Sequence, residues 1–378
     1  MKKLLSNYFL LIGLFSLGLL TNSYSQSQKE AKFTVSSGDL LDVSLRQGNI
    51  NITTGSGNEV VAVGKNLLDS ERDLITMEQK AGKVEIKFKG VDSDRFELEL
   101  KIPAVMNLKL STGGGNIKVI GELNGTVDAS TGGGNITVGN INGKTDFSTA
   151  GGNISVGNIN NDAGLSSAGG DMKAGEINGN AKINTAGGNI SIGSINKTAE
   201  ISTAGGNIQI GNVGGKAEIS TAGGNIKVGN VSGSADISTG GGNINLESAK
   251  GKVDVSTGAG NLNLKNITGS IDASTGAGNI YAELKPEGDV RSELNTGVGN
   301  IMLKVPENSK VTIVASVNVF MWTGDESDLE NIKSDFTPTT VNKRGEKKQI
   351  EVVYQLNGGG PTIELNAAMG EIEIRKLK

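Results

Sequence analysis

The chain of 378 residues contains no cysteine and no histidine, and only 3% of it is aromatic. Without cysteine there is no disulfide, no thiolate metal site and no lipid-bearing cysteine behind a leader. Without histidine the usual general base of neutral-pH catalysis is missing. So few aromatics cannot fill a conventional globular core of this size. Ile and Val must do it instead, which suits strands. Excess positive charge is absent as well. Lys and Arg number 36 against 40 Asp and Glu. Removing Lys2 and Lys3 with a leader takes the basic count to 34 and the balance to −6. That balance argues against nucleic acid as a partner.

What the chain has is glycine, 57 residues, about double average usage. Most of it belongs to one phrase, clearest at Ser220 to Val231, Ser-Thr-Ala-Gly-Gly-Asn-Ile-Lys-Val-Gly-Asn-Val. The Asn of each Gly-Asn-Ile falls at 116, 135, 153, 189, 207, 225, 243, 261, 279 and 300, with Asp171 in the same series. The first step is 19 residues, the next eight are 18 each, and the last is 21. A fixed period of this size is the mark of a stacked array.

Within one repeat, Ile226 and Val228 alternate with Lys227, and Ala235, Ile237 and Thr239 alternate with Asp236 and Ser238. Period two predicts two short half-buried strands per level, joined by Gly-rich corners. Val231 is predicted to point back inside. No level can bury its apolar side alone, so levels stack at roughly 4.8 Å. The columns Ile117, Ile136, Ile154 and onward, and Val119, Val138, Val156 and onward, then form one narrow core. Eleven markers at that rise give a rod on the order of 50 Å long. The Asn column is predicted to form a corner ladder whose amides satisfy backbone groups.

The fold class read from this is all-β, a single-stranded β-helix or β-solenoid with 18-residue levels. Residues 1–25 read as a signal peptide: Lys2-Lys3, an apolar stretch from Phe9 to Leu20, and Ser23-Tyr24-Ser25 as a small-x-small cleavage site. The apolar run is too short for a full span of about 20 residues. No membrane span is expected after cleavage, and the product is exported to periplasm, cell surface or beyond. Residues 26–103 read as N-terminal capping strands, including irregular levels at Asp39–Leu45 and Asn49–Thr53, with a short helix or loop between Leu67 and Leu74. Residues 104–305 are the regular solenoid. Residues 306–378 supply C-terminal strands, a polar excursion loop from Asp325 to Lys348, and a closing level at Thr362–Ile374.

The entry Ile102-Pro103, Leu108-Lys-Leu-Ser-Thr-Gly-Gly-Gly-Asn-Ile, the repeating Gly-Gly-Asn-Ile and the closing Gly360-Pro-Thr-Ile-Glu-Leu resemble the "putative adhesin" family of bacterial envelope proteins, a domain-of-unknown-function family. The resemblance covers residues 33 to 377. It implies a single-stranded β-helix and an envelope or secreted location, and it carries no catalytic residues across. With the chirality of parallel-strand connections, it points to a right-handed coil.

Several columns invite a functional reading. Calcium β-rolls also repeat in 18 residues, but here apolar side chains stand where their Asp belongs, and only Gly169-Gly170-Asp171 offers a nearby carboxylate. The acidic column Asp128, Asp146, Glu200, Glu218, Asp236, Asp254, Asp272 is interrupted by Lys182 and flanked by Lys144, Lys216 and Lys252, which describes a solvated, partly neutralised face. The Thr column shares the inward parity of Ile237, which argues against an ice-binding surface. Paired carboxylates of a glycosidase are not concentrated anywhere, and Arg291 is the only arginine between 111 and 305. No Gly-x-Gly-x-x-Gly opens a helix, so no cofactor, metal or catalytic residue is expected. Phe320, Met321 and Trp322 form the most aromatic spot of the mature chain, a candidate ligand patch weighed against packing of the cap. The function expected is a non-enzymatic, adhesin-like solenoid presenting a repetitive face to surface glycan, matrix or an envelope protein. The alternatives are a periplasmic scaffold and, further off, a polysaccharide-active β-helix enzyme.

Overall fold

A computed structural model describes residues 27–90, 95–318, 330–344 and 349–377. The expected leader lies outside them. The described residues are almost entirely β, apart from one short 3-10 turn at Asp69–Glu71.

Each regular level is a triangle. One side is a five-residue strand such as Ala217–Thr221, and the next is a shorter, three-residue strand such as Ile208–Ile210. The third side is a single inward residue paired to its neighbours as an isolated bridge. Leu123, Ile141, Ile159, Ile177, Ile195, Val213 and Val231 form this column, and Ala249, Ile267 and Leu284 continue it. All three ladders are parallel and in register through the middle of the chain, so like residues sit above like. Strict alternation puts Ala217, Ile219, Ile226 and Val228 inside, and the corner after Val228 turns Val231 in, all at 2% exposure or less. Each fully buried aliphatic of this size contributes about 1.5–3 kcal/mol.

Fifteen strands share the first ladder. In spatial order they are 83–88, 40–45, 107–112, 127–131, 145–149, 163–167, 181–185, 199–203, 217–221, 235–239, the second halves of 244–259 and 262–277, then 292–298, 362–369 and 311–318. At roughly 4.8 Å per step the stack is on the order of 65 Å long. Stacking order therefore departs from chain order at both ends. The segment 40–55 sits directly on 107–120, and 83–103 forms the outermost level. At the other end 362–377 fills the slot after 292–306, and 311–318 with 332–334 lies outside it. Thr362–Ile374 does form a level, as its sequence predicts, but the penultimate one.

Antiparallel strands cover both outer levels. Ile75–Lys80 pairs with Lys83–Phe88, and Glu59–Leu67 pairs with Glu97–Pro103. Gln349–Leu356 pairs with Val311–Asn318, and Thr340–Arg344 pairs with Gln349–Leu356. The expected excursion loop thus carries two strands in its described part, Ile332–Ser334 and Thr340–Arg344. The ends also use aromatics, of which the regular levels from 104 to 305 bury only Phe147 in the core. Phe88 and Phe96 stack with centroids 4.1 Å apart and are buried. Tyr354 is buried at the far end, and burial pushes its hydroxyl pKa up.

The glycine before each marker Asn is enforced by close approach. A Cβ on Gly224 would lie 2.0 Å from the carbonyl oxygen of Gly206, one level below. The preceding Gly223 has nothing nearer than 3.7 Å. Later levels carry Ala259, Ala277 and Val298 at that open position, in register with one another.

Candidate functional site

The corners hold three polar ladders. At the first, each marker Asn accepts a hydrogen bond from the backbone N–H of the residue one level on. Asn225 N–H donates to Asn207 Oδ1 at 2.8 Å, and its amide donates to the same oxygen at 3.3 Å. The ladder runs from Asn49 through Asp171 to Asn300 and closes on Glu371 N–H. Asp171 fits because the ladder needs only a side-chain oxygen there. This is the corner device the sequence predicts. Two further ladders were hidden from sequence reading: Asn140, Asn158, Glu176 and later Asn212, Asn230, and the stacked amides of Asn142, Asn160, Asn178 and Asn196. Their signal was an Asn recurring every 18 residues, after a glycine in the first of them and after an isoleucine in the second.

The threonine column faces inward, as its parity predicts. Thr221 Oγ1 donates to Gly206 O at 2.9 Å and accepts from Gly224 N–H at 3.3 Å. The same pair of bonds recurs at Thr149, Thr185, Thr203 and Thr239. These hydroxyls are buried and spent on the turn, so they form no flat hydroxyl surface.

The outward columns of the first side form a long regular polar surface. The register places Glu200, Glu218, Asp236, Asp254, Asp272, Glu293 and Glu364 on seven successive levels. Glu293 and Glu364 extend the column beyond what the sequence shows. Two positions further along each strand lies a second row, Ser202, Ser220, Ser238, Ser256, Ser274, Asn295 and Asn366. Cations offset part of the charge. Lys182 pairs with Glu200 at 2.6 Å and Lys252 with Asp254 at 3.4 Å, while Lys216 pairs with Glu218 and Arg291 with Glu364. Asp272 has no ion-pair partner among the described residues. Its burial, then the flanking Asp254 and Glu293, push its pKa above the ordinary carboxylate value. Among the described residues, no three side chains of metal-ligating type gather into a metal site.

The second side is narrower. At the late levels Tyr281 and Met302, with Asn279, Asn300, Glu371 and Glu373, line a hollow of about 370 Å³. Lys304 places its ammonium 5.0 Å from the Tyr281 ring centre. Sequence reading missed this aromatic because it stands singly in a column of polar residues. The expected patch at Phe320, Met321 and Trp322 lies outside the described residues.

A search of the curated proteins finds no match. Several solved structures are similar at low identity. One, a "putative adhesin" from Parabacteroides distasonis, is 14% identical, with 66% of this chain and 98% of that chain covered and a TM-score of 0.29. Another "putative adhesin", from Bacteroides fragilis, is 15% identical over 94% of this chain and 99% of that one, with a TM-score of 0.26. A "putative lipid binding protein" from Parabacteroides distasonis is 12% identical over 73% and 94%, also at 0.26. Residues 182–317, which take in the regular levels from Lys182 onward and the outer strand 311–318, match the family model Toastrack DUF4097. Over that segment the chain is similar to the Toastrack DUF4097 family, a family without an assigned function.

Proposed function

We propose that the chain is a non-enzymatic, adhesin-like β-solenoid that is exported and binds a hydroxyl-rich polymer along its first side. The observation that carries this reading is the unbroken double row of carboxylates and Ser or Asn side chains over seven levels. Repeating acceptors at roughly 4.8 Å suit a polymer that repeats its own hydroxyl donors. A glycan of the cell surface or matrix has that chemistry, and a polyanion would be repelled. The uniformity of the levels supports a binding role over a catalytic one, because no level gathers a distinct set of acids and bases. Tyr281 and Met302 add an apolar contact beside the amide ladder, where the flat face of a sugar ring can rest.

The test has two arms. The purified chain is screened on neutral, amino-sugar and acidic glycans, beside a variant with Glu200→Gln, Glu218→Gln, Asp236→Asn and Asp254→Asn. The reading expects neutral or amino-sugar glycans to bind and the variant to lose at least about tenfold in affinity. Equal binding by the variant, or preference for acidic glycans, sinks it. Protease shaving of intact cells then separates the adhesive role from the second reading, a periplasmic scaffold. Release of peptides from the chain while a periplasmic control stays intact supports the adhesin. Complete protection until lysis favours the scaffold.

A further inference from the structure

The acidic first side has a counterpart of opposite character at the N-terminal end of the second side. There the sheet runs on past the coil. Ile117–Ile120 pairs with Asn49–Gly55, which pairs with Glu97–Pro103, which pairs antiparallel with Glu59–Leu67. Outward side chains across these four strands fall into rows. Ile120, Thr53, Lys101 and Val61 make one row, and Lys118, Glu99 and Val63 stand in the next. Together they line a cavity of about 550 Å³, within the range of small-molecule sites, roughly 300–1,000 Å³. A second hollow of about 330 Å³ adjoins it and shares Thr53, Val61 and Lys101.

Two observations single this place out. The first is charge. Glu99 is held by Lys65 at 2.6 Å, whereas Lys101 and Lys118 have no ion-pair or hydrogen-bond partner for their ammonium groups among the described residues. Two unpaired cations thus share one cavity on a chain whose net charge is −4. The second is a break in the repeat. Val119 and Leu123 pair with Val138 and Ile141 on the next level, so the earlier segment is one residue longer. The surplus residue of the 19-residue step is Ile120. It extends its strand by pairing with Thr53, and Gly121 follows at φ +104° to rejoin the corner. Elsewhere in the early levels this strand ends after the second core residue, as at Val138 and Val156. The insertion leaves Ile120 53% exposed at the cavity wall. Exposing an isoleucine has a cost in water that the coil avoids on the next levels.

We infer that this cavity binds an anionic amphiphile, with a carboxylate or phosphate head held by Lys101 and Lys118 and an aliphatic chain against Val61, Val63 and Ile120. The walls are branched aliphatics with no aromatic among them, which suits an acyl chain better than a sugar ring. Thr53 lies beside Lys101 in the same row, placed to donate a third hydrogen bond to the head. Fatty-acid carboxylates and lipid phosphates share this chemistry.

The test uses four probes on the purified full chain, each below its micelle concentration: decanoate, decyl phosphate, decyl maltoside and inorganic phosphate. Binding is read by calorimetry and by methyl NMR shifts of Val61, Val63 and Ile120. At least one of the two charged amphiphiles binds, and their relative affinity tells carboxylate from phosphate. Decyl maltoside, which has the chain without the charge, and inorganic phosphate, which has the charge without the chain, bind at least about tenfold more weakly. Lys101→Gln with Lys118→Gln lowers affinity about tenfold or more, Lys101→Arg with Lys118→Arg restores most of it, and Ile120→Asp lowers it by a similar factor. All three positions are exposed, so melting curves should be unchanged and loss of binding is not loss of fold. Failure of both charged amphiphiles to bind, or equal binding by the double Gln variant, overturns the inference. Binding of decyl maltoside as tight as decanoate does so as well.

Discussion

Through the middle of the stack, from residue 127 to 277, the chain lays down one level after another, and each level contacts only the one before and the one after. At the two ends the order is broken in the same way. Followed outward from the middle, the chain skips a slot, builds the outermost level, adds antiparallel strands, and fills the skipped slot from the other side of the excursion. The middle is held by repetition: small aliphatics, a buried Thr bridge and an amide ladder at every level. The ends are held by particular residues, Phe88 on Phe96 at one and Tyr354 at the other. Local uniformity is enough where a level has two identical neighbours. A level with one neighbour needs an individual solution to cover its exposed core and edge.

The comparison can be broken most forcefully at an end. Phe96→Ala removes a fully buried ring and should cost about 3–5 kcal/mol. Hydrogen exchange should open levels 83–103 and 40–55 and leave levels beyond 163 protected. Loss of protection along the whole stack would show that ends and middle are one cooperative unit. In the middle, Gly224→Ala sets a Cβ against the Gly206 carbonyl and should cost about 3 kcal/mol, whereas Gly223→Ala should be neutral or stabilising by up to about 1 kcal/mol. Equal effects in thermal melts would refute close approach as the reason for that glycine. Thr221→Val keeps the shape but strands Gly206 O and Gly224 N–H, for about 1–3 kcal/mol, and Ser166→Ala on the outward row serves as the control with little change.

The smallest effect sharpens the contrast by pH. Hydrogen bonds from Lys87 and Lys83 hold Glu85, at the N-terminal end, at a pKa of about 2, against an ordinary value of 4.5. A depressed carboxylate contributes stability that is present above 4.5 and lost as pH falls toward 2. Asp272, in the acidic ladder, is raised by burial and by Asp254 and Glu293. Its sign is opposite: it opposes folding at neutral pH, and protonation on acidification relieves it. Exchange rates corrected for intrinsic chemistry should show, as pH falls, the ladder around Asp272 tightening and the strands 40–45 and 83–88 loosening below 4.5. Parallel loosening of both regions would contradict these assignments.

The sequence made the middle readable because translation by 18 residues lines up every column, so Ile226, Val228, Asn225 and Thr239 each declare their role by position. It showed the inward residue of the third side at Val231 but not that this residue pairs with its neighbours as a side of its own, because a single residue such as Ile177 has no alternation to reveal a strand. The strands at the ends were legible too, Asp39–Leu45 and Thr362–Ile374 among them. Their order was not, since an alternating strand pairs equally well with neighbours distant in sequence, and nothing local fixes which slot it fills. For the same reason Glu293 and Glu364 were invisible as members of the acidic column: the 21-residue step and the out-of-order level break the register. The 19-residue step was visible from the start, but only the bridge partners of Val119 and Leu123 identify Ile120 as the surplus residue.

The skipped slots act as clasps. Each binds a chain segment between two others, so neither end of the coil is free to peel away or to template another copy in line. Both clasps lie outside the 18-residue units. Whole units can therefore be gained or lost between them, each moving the clasps apart or together by about 4.8 Å while every outward column stays aligned. In that sense the molecule is a ruler with fixed fittings: the number of units alone sets how far the aliphatic, cationic hollow at one end is held from the C-terminal strands at the other.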